Sequence, residues 1–217
     1  QRQMCIRDRN GKPAGEMHQG GFYRFNYDIT ELLNLGKKNQ LEVKVAKESA
    51  NRSINAAERK ADWWLFGGIY RPVWLEVLPQ VHMEHFVLNA DHHGKLQTAV
   101  DMAGDAKGHE IIVSVRSLKD GKTVYTSNGQ TTITHPINNS DKEQMISGEW
   151  ASIIPWSTEN PNLYGAKLEL KNPEGKIVQT RETRIGFRTV EFFPQDGVYL
   201  NGTKPVSYTH LRAHETC

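Results

Sequence analysis

The feature that most limits what this chain can fold into is a succession of short alternating strands separated by turns. Beyond Pro79, period-two patterns of apolar and polar residues predict strands over 81–90, 95–103, 110–118, 122–126, 130–134, 145–153, 166–171 and 176–187. Turn signals part several of them: His93-Gly94, Asp120-Gly121 and Asn172-Pro173-Glu174-Gly175. Seven or eight strands in about 110 residues is the pattern of an immunoglobulin-like sandwich. The Cys–Trp–Cys spacing of antibody domains is absent, so any kinship is architectural. A last strand pair, 190–193 and 198–200, precedes the turn Asn201-Gly202.

The front of the chain is also strand-like. Tyr23, Phe25, Tyr27 and Ile29 alternate with Phe22, Arg24, Asn26 and Asp28, and Leu41, Val43 and Val45 alternate with Glu42, Lys44 and Ala46. Residues 69–78 read as a third strand. Between them the polar stretch 48–61 has no strand period, and loops of that length are often functional or partly helical. No helix longer than two turns is expected. Three strands cannot close a core alone, so this segment reads as part of a larger domain.

The termini carry a separate signal. Residues 4–9 and 206–211 decode from DNA strings that are reverse complements of one another, as an adapter ligated to both ends of a DNA fragment would be. Residues 1–9 and 206–217 are therefore expected to be adapter-derived and are set aside from fold reasoning. Cys5 and Cys217 fall in these tails, so the two cysteines suggest neither a disulfide nor a metal site. Four of the 27 Lys and Arg and two of the 25 Asp and Glu also fall there, which leaves 23 of each sign. The balance argues against nucleic acid as a partner. No apolar run approaches a membrane span. Cytoplasm and periplasm both stay open.

Against this background, Asp62-Trp63-Trp64-Leu65-Phe66-Gly67-Gly68-Ile69-Tyr70-Arg71 resembles the signature that closes the N-terminal jelly roll of family 2 glycoside hydrolases, the bacterial β-galactosidases and β-glucuronidases among them. Asn10-Gly11, the string from Gly20 to Phe25, and Asp28-Ile29-Thr30 resemble earlier strands of that domain. Pro155-Trp156-Ser157 and Asn160-Pro161-Asn162-Leu163-Tyr164 are similar to a late motif of the family's sandwich, and Ile185-Gly186-Phe187-Arg188-Thr189-Val190-Glu191 to its exit. Leu200-Asn201-Gly202 with Lys204-Pro205 resembles the hairpin entering the catalytic TIM barrel. The resemblance covers nearly all of residues 10–205, in order.

The resemblance implies an all-β chain: the C-terminal part of a sugar-binding jelly roll over 10–79, a sandwich over 80–189, and a lead-in to a missing barrel over 190–205. It implies a retaining glycosidase acting on terminal β-linked sugars, galactosides first and glucuronides next. Such enzymes hold an acid/base and a nucleophilic carboxyl about 5 Å apart. Both glutamates would lie beyond Pro205, so no catalytic residue is expected here and no turnover from this segment alone. Expected partners are a carbohydrate substrate and the enzyme's own barrel, with a homo-oligomer left open and no cofactor required.

Three residues are candidates for touching sugar. By resemblance, Asp62 reaches from the jelly roll toward the barrel's active site; a carboxylate there can accept bidentate hydrogen bonds from neighbouring hydroxyls. The alternative is a turn or capping aspartate. Trp63 and Trp64 point to opposite faces of extended backbone, so one can enter a core while the other walls a sugar site, or both can be buried between domains. Arg71 reads as making an internal ion pair or backbone hydrogen bonds rather than binding a ligand, and Gly67-Gly68 as backbone permissiveness. His92-His93 lacks a metal-ligand arrangement because adjacent strand residues diverge. Asn138-Asn139-Ser140-Asp141 lacks the Gly and terminal Glu of a calcium loop. Two alternatives remain: a sugar-binding or adhesion protein made only of sandwiches, and a catalytically dead relative of the glycosidases.

Overall fold

The computed structural model describes residues 3–8, 13–19, 24–46, 48, 51–59, 68–69 and 71–204. The chain divides into two compact units, 1–75 and 76–217, with the boundary four residues before Pro79.

In the first unit, β1 (Gln3–Asp8) lies between β2 (His18–Gln19) and β3 (Leu41–Ala46), both antiparallel to it. The ladder with β3 runs from Gln3↔Ala46 to Asp8↔Leu41. Residues 3–8, expected to be adapter-derived, hold the central strand. Met4 and Ile6 alternate with Cys5 and Arg7, and a backbone ladder accepts any extended segment with that period. The strand expected over 23–29 alternates in burial from Arg24 to Ile29 but joins no ladder. Asp28 ends it: its Oδ1 accepts the Thr30 N–H at 2.9 Å and the Thr30 hydroxyl at 2.6 Å, turning the chain into a 3-10 turn, Thr30–Leu32.

The polar stretch folds as α1 (Arg52–Arg59), just over two turns. Asn51 caps it, its Oδ1 accepting the Ser53 N–H at 2.9 Å. The strand expected over 69–78 is not formed: its described residues join no ladder, and Val73, Trp74 and Val77 are 62%, 57% and 87% exposed. An apolar period-two run becomes a strand only where another strand meets its N–H and C=O groups. Pro72, in addition, has no N–H to give.

The second unit is the expected sandwich. One sheet carries β4 (His82–Ala90), β5 (Lys95–Ala103) and β9 (Glu143–Glu149). The facing sheet runs β11 (Ile177–Ile185), β10 (Tyr164–Lys171), β6 (Glu110–Ser117). The far edge of β6 is shared by β7 (Thr123–Val124) and β8 (Thr132–Pro136). Every pairing is antiparallel. Seven of the eight expected strands lie within about three residues of their predicted ends. The exception, 145–153, is displaced, because the ladder of β9 stops at Glu149 and only Trp150 continues it, as a single bridge to Thr126.

The core follows from the alternation. Leu168 and Leu170 of β10 face inward opposite Val113 and Ile111 of β6. Leu96, Val100 and Met102 of β5 face them from the other sheet, and all are essentially inaccessible. Burying such side chains contributes about 1.5–3 kcal/mol each. At the open side the sheets are stitched by one buried polar group. Gln179 of β11 accepts the Met83 N–H at 2.6 Å, and its amide donates to the Met83 carbonyl at 3.3 Å. Edge strand β11 carries Arg181, Glu182 and Arg184, charges that discourage pairing with a further strand. Gly94 closes the β4–β5 hairpin at φ +99°, where a Cβ would lie 2.3 Å from the Trp150 carbonyl oxygen, so no other residue fits. Beyond the sandwich, β12 (Val190–Phe193) and β13 (Gly197–Leu200) form an antiparallel ribbon as expected. No helix among the described residues is long and apolar enough to cross a membrane.

Candidate functional site

Asp62, Trp63 and Trp64 lie outside the described residues, as do Gly67 and Tyr70. Arg71 is exposed, on the segment that joins no ladder. Among the described residues no cluster of three or more His, Cys, Asp or Glu could hold a metal ion. His92 and His93 do not diverge as expected: they sit in a turn, with ring centroids 3.9 Å apart. The 138–141 loop is held by side-chain bonds, Asn139 donating to the Asp141 carboxylate within it and the Ser140 hydroxyl to Asp105 outside it at 3.2 Å.

What the fold does bring together is one corner, built from the neighbouring motifs at Trp156 and Tyr164 and the exit motif around Phe187. Phe187 is fully buried and meets Tyr164 edge-on, centroids 5.3 Å apart at 85°. The Tyr164 hydroxyl accepts the Ile154 N–H at 2.7 Å. Trp156 donates its N–H to the Phe187 carbonyl at 2.9 Å. Its side chain lies so close to Gly186 that a Cβ there would sit 3.0–3.1 Å from it. The Arg188 guanidinium covers the Trp156 ring at 4.9 Å, a cation–π contact. Arg188 also donates its N–H to the Ala90 carbonyl at 3.0 Å, which ties the exit of the facing sheet to the end of β4.

The ribbon is attached at this corner through Asn201. Its Oδ1 accepts the Thr189 N–H at 3.0 Å, its Nδ2 donates to the Trp156 carbonyl at 2.9 Å, and its own N–H donates to the Thr189 carbonyl at 2.8 Å. The Thr189 hydroxyl lies 2.6 Å from His92 Nδ1 and accepts the His92 N–H at 3.3 Å. In the sequence, Arg188, Thr189 and Asn201 stand inside the family-like motifs, whose letters specify no role for them. The available signal was Asn-Gly directly after a strand, since Asn is among the few side chains that tolerate the φ of +53° found here.

One face of the ribbon is apolar. Val190 pairs with Leu200 and Phe192 with Val198, and Phe192 is 75% exposed. The other face holds a polar cluster beside a depression of about 270 Å³ lined by Glu191, Phe193, Asp196, Tyr199 and Gly202. Asp196 accepts Lys204 Nζ and the Tyr199 hydroxyl, each at 2.6 Å. The Lys204 contact first, then Tyr199, hold its carboxyl below the ordinary 3.8. The same carboxylate raises the Tyr199 hydroxyl and the Lys204 ammonium above their usual values.

The second unit is thus a two-sheet antiparallel sandwich followed by a two-stranded ribbon. Residues 81–188 match the family model described as "Glycosyl hydrolases family 2". The β-galactosidase of Thermoanaerobacter pseudethanolicus is 28% identical over 95% of this chain and 27% of its own length. That of Kluyveromyces lactis is 30% identical over 95% of this chain and 21% of its own. The structure of Parabacteroides merdae β-glucuronidase superposes with a TM-score of 0.68 at 23% identity, covering 94% of this chain and 26% of that one. The chain belongs to glycosyl hydrolase family 2. It spans about a quarter of the length of the relatives it matches.

Proposed function

We propose that this chain is the non-catalytic front of a retaining glycosidase acting on terminal β-linked sugars, β-galactosides first and β-glucuronides next. The observation that carries this reading is similarity to β-galactosidases along about 95% of the chain, in one continuous order. The sandwich supplies a stiff body. The ribbon, with Phe192 and its apolar neighbours, is a surface for the catalytic barrel that would follow. Asp62 accepts hydroxyl hydrogen bonds from the terminal sugar, and Trp63 and Trp64 offer aromatic surface to its C–H groups.

The test of Asp62 needs the longer polypeptide. Losing a charge-assisted hydrogen bond made to bound sugar costs about 1.5–3 kcal/mol. In that polypeptide Asp62→Ala should lower kcat/KM on p-nitrophenyl β-D-galactoside by about 10- to 100-fold. Its melting temperature should stay within a few degrees. Unchanged kcat/KM would remove Asp62 from the sugar site and return it to a turn role.

A further inference from the structure

The ribbon is the part of the second unit that the sandwich core does not account for. Two antiparallel strands are marginal in water on their own, and the apolar face of this ribbon is open. The hydrogen bonds that reach back to the sandwich therefore bear on its order. Those described all pass through Thr189 and Asn201: the backbone bond from Asn201 to Thr189, the Asn201 side chain to Thr189 and Trp156, and the Thr189 hydroxyl to His92. Asn201 alone grips two separate segments with its two side-chain ends, and it does so at φ +53°. Thr203 then bridges back to Leu200 by paired backbone bonds of 2.8 and 3.0 Å, so the chain beyond the latch is turned in a set direction.

We propose that Asn201 is a positioning residue: a latch that holds the β12–β13 ribbon to the Trp156 corner and so fixes the course of residues 202–204. The amide fits this task better than an acid or an alcohol. It offers an acceptor for the Thr189 N–H and a donor for the Trp156 carbonyl from one planar group. The same Nδ2 engagement occupies the nitrogen of Asn201-Gly202-Thr203, which fits a glycosylation pattern by letter. The latch stands on this chain's own geometry, so it can fail while the glycosidase reading holds, and the reverse.

The test is hydrogen exchange on the whole chain, read by mass spectrometry over peptides covering 189–203 and, as an internal reference, β6 and β10. Asn201→Gly keeps the backbone conformation free of strain and removes both side-chain bonds. Protection in 189–203 should fall by about tenfold or more, while β6 and β10 keep theirs. Asn201→Asp retains the acceptor for Thr189 and loses the donor to Trp156, and should fall in between. It also decides the matter if the glycine variant does not fold. Ribbon protection unchanged in the variants, or lost in step with β6 and β10, would overturn the latch.

Discussion

The two units use the same alternating strand pattern and end in different states. In the second, alternation on two facing sheets encloses Leu168, Val113, Val100 and their neighbours completely. In the first, the residues whose burial is described are all half-buried or exposed, and Val73, Trp74 and Leu75 stand largely in solvent. Period two makes a strand amphipathic, but stability comes only when a second apolar face covers the first. The sandwich has both faces within residues 76–204. The described part of the first unit has one three-stranded sheet and a short helix.

Truncation should separate the two most sharply. Leu168→Ala, at the centre of the sandwich, should cost about 2–5 kcal/mol. Val73→Ala should stay within about 0.5 kcal/mol. Urea unfolding followed by tryptophan fluorescence reads both, and equal costs would mean that the first unit is as closed as the second. Next in size is the polar stitch. Gln179→Leu leaves the Met83 N–H without its acceptor and should cost about 1–3 kcal/mol. A neutral result would show that the sheets hold together without it.

The smallest effect concerns the ribbon. The Asp196 carboxyl is depressed, so its contribution is present above pH 3.8 and lost as pH falls through its lowered value. Tyr199 and Lys204 are raised, so theirs is present below pH 10.0 and 10.5 and lost as pH rises through the raised values. The Tyr199 ring resonances should hold steady between those limits and move outside them. Drift near pH 6 would point to another titrating group.

The sandwich was legible in the sequence because both its sheets lie within it. Turn residues such as Gly94 mark corners, and inward residues such as Leu168 and Leu170 repeat every second position. Residues 69–78 misled because Ile69, Val73, Leu75 and Val77 satisfy strand chemistry, while pairing depends on a partner that local pattern does not specify. Residues 3–8 pair because ladder bonds are made by backbone, so a segment set aside from fold reasoning can still enter a sheet. Of the candidate site, the corner was visible only as separate letters. Trp156, Arg188 and Asn201 are up to 45 residues apart in the bond from Asn201 to Trp156, and their convergence is a property of the fold.

The proposal that stands to be tested is that this chain is the non-catalytic front of a glycosidase. Its most direct test is turnover of p-nitrophenyl β-D-galactoside and β-D-glucuronide by the pure chain, beside a longer polypeptide that carries the same front followed by its barrel. The chain should release no nitrophenol above buffer, and the longer polypeptide should turn over at least one of the two sugars. Steady turnover by the chain alone would contradict the account, because it would place the reacting carboxyls within residues 1–217.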